Sequence, residues 1–151
     1  MTIGEFCNRE VIISNRENSV LEAAKLMRKY HVGDVVVVEQ RGDERVPVGI
    51  MTDRDIVVEI VARKVDAATV LVGDAMSAEL LTVNENGHLT DLIQQMQGRG
   101  VRRVPVVDND GKLVGSVTAD DLTDLIAEQL TSLVGMVQRE QHHERSTRVV
   151  T

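Results

Sequence analysis

Thr52-Asp-Arg-Asp55 and Thr118-Ala-Asp-Asp121 each place a hydroxyl and a carboxylate three residues apart, where a β-prone stretch gives way to a helical one. The first turn of a helix leaves N–H groups without partners beside the positive end of its dipole. That setting suits a phosphate, to which a threonine hydroxyl adds one more donor. An ionised aspartate only accepts hydrogen bonds, so it repels phosphate and suits the paired hydroxyls of a ribose. Together the two side chains favour a sugar phosphate over free phosphate. The same spacing is equally a capping box, in which Thr holds first-turn N–H groups and Asp complements the dipole. Both readings stand for either motif alone, and recurrence at the same point of the chain favours a ligand.

Arginines make the two places unlike. Arg54 lies inside the first motif, and Arg102-Arg103 precedes a valine-rich run whose earlier counterpart is preceded by Gly33-Asp34. Guanidinium matches phosphate geometry and carboxylate opposes it, so bound phosphates are expected within reach of Arg54, Arg102 or Arg103. The alternative for each is a solvated side chain, or for Arg54 a neighbouring carboxylate. Other candidates carry less. Asp108-Asn-Asp-Gly111 is similar to the start of a calcium loop, but Lys112 occupies the third ligand position, so a hairpin turn is expected. His142 and His143 point apart on a helix and read as part of a polar tail. The single cysteine, Cys7, excludes an intrachain disulfide and a cysteine-based zinc site, and reads as a small packing residue. No Ser-His-Asp, Cys-His or paired-carboxylate arrangement stands out, so neither a catalytic nor a metal site is expected, and the chain is not read as an enzyme.

The elements that must position these residues are written twice. Laying Cys7-Asn-Arg-Glu10 over Met76-Ser-Ala-Glu79 aligns Asn15 with Asn84, Met27 with Met96, and Val35-Val-Val-Val38 with Val104-Pro-Val-Val107, without a gap. Three extra residues in the stretch 40–46 then shift the register, after which Gly49, Thr52 and Asp55 meet Gly115, Thr118 and Asp121. Each copy reads as β-α-β-β-α. A short strand (Val11 to Ser14; Leu80 to Val83) precedes a helix whose apolar residues recur at i, i+3, i+4 and i+7. These are Val20, Ala23, Ala24 and Met27, then Leu89, Leu92, Ile93 and Met96. The Val-rich runs read as strands buried on both faces. A loose turn is expected at Gln40–Asp43 and a tight one at Asp108–Gly111, followed by strands at Val48–Met51 and Leu113–Val117. The expected organisation is a first repeat at 7–64, a linker at 65–75, a second repeat at 76–134 and a polar C-terminal tail at 135–151. The last helix extends to about Gln138 with a stripe of Leu122, Leu125, Ile126, Gln129, Leu130, Leu133 and Val134.

Composition narrows the classes. The 151 residues carry a formal charge of −7, with one Phe, one Tyr and no Trp. Stacking platforms for single-stranded nucleic acid, and basic surfaces for phosphate backbones or anionic membranes, are therefore not expected. The start MTIGEFCNRE shows neither a long apolar run nor a basic prelude, and apolar stretches fall well short of a membrane span. A cytoplasmic location is the expectation.

Gly49-Ile-Met-Thr-Asp-Arg-Asp55, Gly115-Ser-Val-Thr-Ala-Asp-Asp121 and Arg102-Arg-Val-Pro-Val-Val-Asp108 closely resemble the CBS domain, over roughly Cys7 to Leu130. The resemblance implies an α+β fold, a CBS pair (Bateman module) with pseudo-twofold symmetry. It also implies an adenosyl ligand, of the AMP, ADP, ATP or S-adenosylmethionine class, in clefts between the repeats. That ligand is regulatory, and no cofactor is implied. Adenine would lie among apolar walls with backbone contacts from Ile13, Val35 and Val36 in one copy, and from Thr82, Val104 and Pro105 in the other. A homodimer, and a separate protein that responds to the ligand, are implied as partners. The competing reading is a structural dimerisation module with vestigial clefts.

Overall fold

The computed structural model of the protein describes residues 1–147. It divides into two compact units, Met1–Val117 and a second that begins at Thr118. The first unit holds nearly all of both repeats. Strands β1 (Ile13–Ser14), β2 (Asp34–Arg41) and β3 (Glu44–Thr52) form one sheet in that order, and β4 (Val83–Asn84), β5 (Arg103–Val107) and β6 (Leu113–Thr118) form the other. The outer strand runs parallel to the central one in both, with Ile13 opposite Val36 and Val83 opposite Val106. The fold is α+β, two β-α-β-β-α repeats.

Local chemistry explains the helices. In α2 (Val20–Tyr30), Ser19 Oγ accepts from Glu22 N at 3.1 Å while Glu22 Oε2 accepts from Ser19 N at 3.2 Å, a complete capping box. The chain leaves α2 through His31 in the left-handed region (φ 54°). Its counterpart after α5 (Leu89–Arg99) is Gly100 (φ 64°), the residue type best suited to that conformation. Val20, Ala23 and Met27 turn inward onto Val35, Val37, Met51, Ile60 and Val72, which fixes the first core. In the second repeat Val83, Leu92, Met96, Val104, Val106 and Val117 are buried.

Four details differ from the sequence expectation. The first hairpin is the tight one. β2 and β3 run on to Arg41 and Glu44 and turn through Gly42-Asp43, with Gly42 at φ 63°, so the extra residues lengthen strands rather than loosen a loop. The second connection is the longer. There Asp108 Oδ1 accepts from both Asp110 N and Lys112 N at 2.9 Å, so the carboxylate organises the turn. The stretch expected as a linker contains α4 (Val72–Ala75), with Val72 fully buried. And α6 (Ala119–Thr147) runs through most of the expected polar tail; residues 148–151 of that tail lie outside the described residues.

α4 has a twin that sequence comparison starting at Cys7 does not reach. α1 (Ile3–Phe6) sits 69 residues earlier, the register of the duplication itself. Each of these segments is held by the opposite repeat. Ile3 N and Gly4 N donate to Gly87 O and Glu85 O at 2.8 and 2.7 Å; Val72 N and Gly73 N donate to Asn18 O and Arg16 O at 2.8 and 3.0 Å. Beyond them, Asn8 exchanges two backbone hydrogen bonds with Ser116, and Ser77 two with Ile50. The repeats are thus mutually completed.

Candidate functional site

Thr52 ends β3 and caps α3 (Asp53–Ile56), which continues as a π-helical turn, Val57–Val61. Its Oγ1 accepts from Asp55 N at 3.2 Å, and Asp55 Oδ2 accepts from Thr52 N at 2.8 Å. Thr118 and Asp121 make the same reciprocal pair at 3.1 Å each at the start of α6. Both motifs are therefore complete capping boxes. The caps do not exhaust the groups: Thr Oγ1 acts only as acceptor in this bond, so its own proton remains for a ligand, as does Asp Oδ1. Thr52 and Asp55 are half-buried, whereas Asp121 is exposed, so the two places are not equivalent.

The glycine that opens each motif has a packing cause. A Cβ on Gly49 would lie 2.5 Å from Met76 Sδ and 2.9 Å from Ser77 O; on Gly115 it would lie 2.7 Å from Cys7 Sγ and 2.8 Å from Asn8 O. Cys7 thus fills the notch over Gly115. Burial, the largest influence, pushes its thiol above the usual range, Arg9 opposes that and Glu85 adds to it. A thiol held protonated is a poor nucleophile, consistent with packing.

The arginines part ways. Arg54 and Arg102 are exposed. Arg103 is half-buried and reaches into the first repeat, where its Nε stands 2.7 Å from Asp34 Oδ1. Asp34 pairs across the ladder with Thr52, so this ion pair borders the first cap. A Cβ on Gly33 would lie 2.7 Å from Arg103 Nη2 and 3.3 Å from Asp53 Oδ2, so the guanidinium occupies space that a side chain there would take. Burial raises the Asp34 pKa above the ordinary carboxylate value; Arg103 pulls it down by charge and hydrogen bond without winning, and Asp53 pushes it up. Asp34 and Arg103 are equivalent positions of the duplication. Counterparts that meet lie at the pseudo-twofold axis, and there one copy has an acid and the other a base. Opposite charges at matched positions were the signal for this pair in the sequence.

The expected adenine contacts fare differently. Val35, Val36, Val104 and Pro105 are fully buried in central strands. Val36 N already donates to Ile12 O at 3.0 Å, so that backbone edge is committed to the sheet. Its counterpart Pro105 has no N–H for Leu81 O, and the second sheet lacks that bond by chemistry. Ile13 and Thr82 are half-buried on or beside the outer strands. Ile13 borders a hollow of about 220 Å³ with Ser14, Asn18, Val38 and Arg45; a neighbouring one of about 310 Å³ is lined by Asn15, Arg16 and Gln40. Both lie toward the Val38 end of β2, away from Thr52 and Asp55 at its Asp34 end. Among the described residues no helix is long and apolar enough to cross a membrane, and no group of three or more His, Cys, Asp or Glu is arranged to hold a metal ion.

The family model of the CBS domain matches residues 3–62 and 72–128, one match per repeat, each beginning at α1 or α4. A protein of Methanopyrus kandleri is 34% identical over 122 residues, 81% of this chain and 61% of that protein, so this chain spans less than two thirds of its length. The CBS domain-containing protein YhcV of Bacillus subtilis is 39% identical over 113 residues, 75% of this chain and 76% of its own. A CBS domain pair crystallised with 5′-methylthioadenosine and S-adenosyl-L-methionine superposes with a TM-score of 0.73 at 25% identity, covering 85% of this chain and 98% of that one.

Proposed function

The chain belongs to the CBS domain family, and from that premise we propose that it is a regulatory module that binds an adenosyl nucleotide beside its Thr-x-x-Asp caps and transmits the binding to a partner protein. The observation that supports this most is the first cap. Thr52 and Asp55 stand half-buried, and Arg103 of the other repeat reaches to the position beside them. The Asp55 carboxylate suits the ribose hydroxyls, Thr52 and the helix start suit the α-phosphate or its replacement, and Arg103 suits further negative charge. A CBS pair of the same fold takes adenosyl ligands, which supports the choice of class. The working form is a cytoplasmic homodimer without catalytic activity of its own. Binding acts on the partner only as far as the ligand favours one setting of the halves over another.

The rival, a structural module with vestigial clefts, draws support from caps that satisfy themselves and from buried valines where adenine contacts were expected. Thermal melts with AMP, ATP and S-adenosylmethionine decide between them. A bound ligand at a hundredfold excess over its Kd adds about 2.7 kcal/mol of stability. If no adenosyl compound moves the melt, the ligand reading is wrong and the rival stands.

A further inference from the structure

Along α6, Ile126, Leu130, Leu133, Val134, Met136 and Val137 are each between 44% and 60% exposed. At 3.6 residues per turn they fall within one broad arc of the helix. Ile126, Leu130, Leu133 and Val137 follow one another at steps of four, three and four, the spacing of a two-stranded coiled-coil seam. Carried on at the same steps, the seam reaches Glu140 and Glu144 in the final turns and Thr123 and Ala119 at the start, whereas Asp121, Asp124, Glu128 and Arg139 fall on the far side of the helix.

We propose that this face is covered by the same face of α6 from a second copy of the chain, with the two helices antiparallel. The inference rests on the self-association included in the reading above and adds the surface and the direction; it is independent of the ligand. A 4-3-4 seam is self-complementary, since each apolar knob finds a hole of its own kind on an identical helix. Six side chains exposing ~100 Å² each would remove roughly 1,200 Å² from water over both copies, the lower bound of a stable specific interface. Charge decides the direction. Parallel pairing sets Glu140 and Glu144, which continue the seam, against the same two carboxylates of the other copy. Antiparallel pairing sets Ile126 against Val137 and Leu130 against Leu133, and places Glu140 and Glu144 opposite Thr123 and Ala119 of the other copy. Opposed helix dipoles favour the same direction.

Sedimentation equilibrium of the full chain at micromolar concentration tests this. The expected mass is twice the 16.7 kDa of one chain, and Leu130→Glu/Leu133→Glu should weaken association by at least about 100-fold, because paired copies would bury unpartnered carboxylates. Circular dichroism of the variant should keep the helix content of the parent. A monomer at every concentration overturns both the self-association and this surface; a dimer indifferent to the double substitution overturns the surface alone. Direction is read by oxidation in a Cys7→Ser background. Mixed Ile126→Cys and Val137→Cys chains should cross-link, whereas a cross-link between two Ile126→Cys chains would overturn the antiparallel arrangement.

Discussion

Asp34 and Arg103 form an ion pair that is only partly sheltered from water, with side-chain exposures of 20% and 32%. Burial nevertheless outweighs the arginine, and the carboxyl titrates above the ordinary aspartate value. The consequence for stability has a definite sign. Below the unfolded value both states hold the proton, and above the raised folded value both have lost it. Between the two, the folded protein binds more protons, so stability falls as pH rises through that window. Asp34→Asn should remove this slope: in urea titrations across the window, the stability of parent minus variant declines with rising pH. A rising difference would mean that Arg103 dominates after all. Carboxyl-carbon NMR gives the direct check, with an Asp34 midpoint above the ordinary aspartate value in the parent and higher still in Arg103→Ala, where only burial and Asp53 remain. The pair also competes with any phosphate for Arg103. A charge-assisted hydrogen bond contributes roughly 1.5–3 kcal/mol. Asp34→Asn should therefore raise the preference for AMP over adenosine by about tenfold in calorimetric titration, and an unchanged ratio would place the phosphate elsewhere.

The elements show why two glycines recur at Gly49 and Gly115. Each lies under a backbone carbonyl of the opposite repeat, Ser77 O or Asn8 O, and a bridge strand cannot give way as a side-chain tip can. Gly115→Ala should push the Asn8 segment off Ser116 and cost about 1–3 kcal/mol, as overpacking does. Gly98→Ala, with open space around it inside α5, should be neutral to stabilising. Equal effects in chemical denaturation would show that close approach is not what demands glycine. This element-level logic was half legible. The duplication, the α2 and α5 faces and both Thr-x-x-Asp caps follow from spacing and residue type, because local hydrogen bonds and burial periodicity fix them. The exchange of segments 2–8 and 71–77 does not, because their bonds go to residues far away in sequence and leave no periodic pattern. The hairpin lengths were misread for a related reason. Gln40 and Arg41 look like loop residues, yet the far end of the β2–β3 hairpin runs past β1 and is exposed on both faces from Glu39 on, so it accepts them, and Gly42-Asp43 supplies the turn. The 34–103 pair was written in the sequence as opposite charges at matched positions, which becomes meaningful only once an axis is known to pass between them.

At the scale of the whole chain, reciprocal completion has a thermodynamic consequence. Neither repeat owns all of its structure: residues 2–8 hydrogen-bond to the second and residues 71–77 to the first. A segment of about 60 residues buries only about 60% of the surface its unfolded chain exposes, which leaves little margin for losing the borrowed segment. Residues 1–117 should therefore unfold as one cooperative unit rather than as two domains. Calorimetry should give equal van't Hoff and calorimetric enthalpies for that transition, apart from independent fraying at the distal end of α6. Deleting residues 1–8, which removes nothing from the first sheet, should lower amide-exchange protection in β5 and β6, and through the shared transition in β2 and β3 as well. A deletion that exposed only the second repeat, or a parent melt resolving into two steps, would show the repeats to be independent domains. The 34–103 contact would then be a surface ion pair without power to couple them.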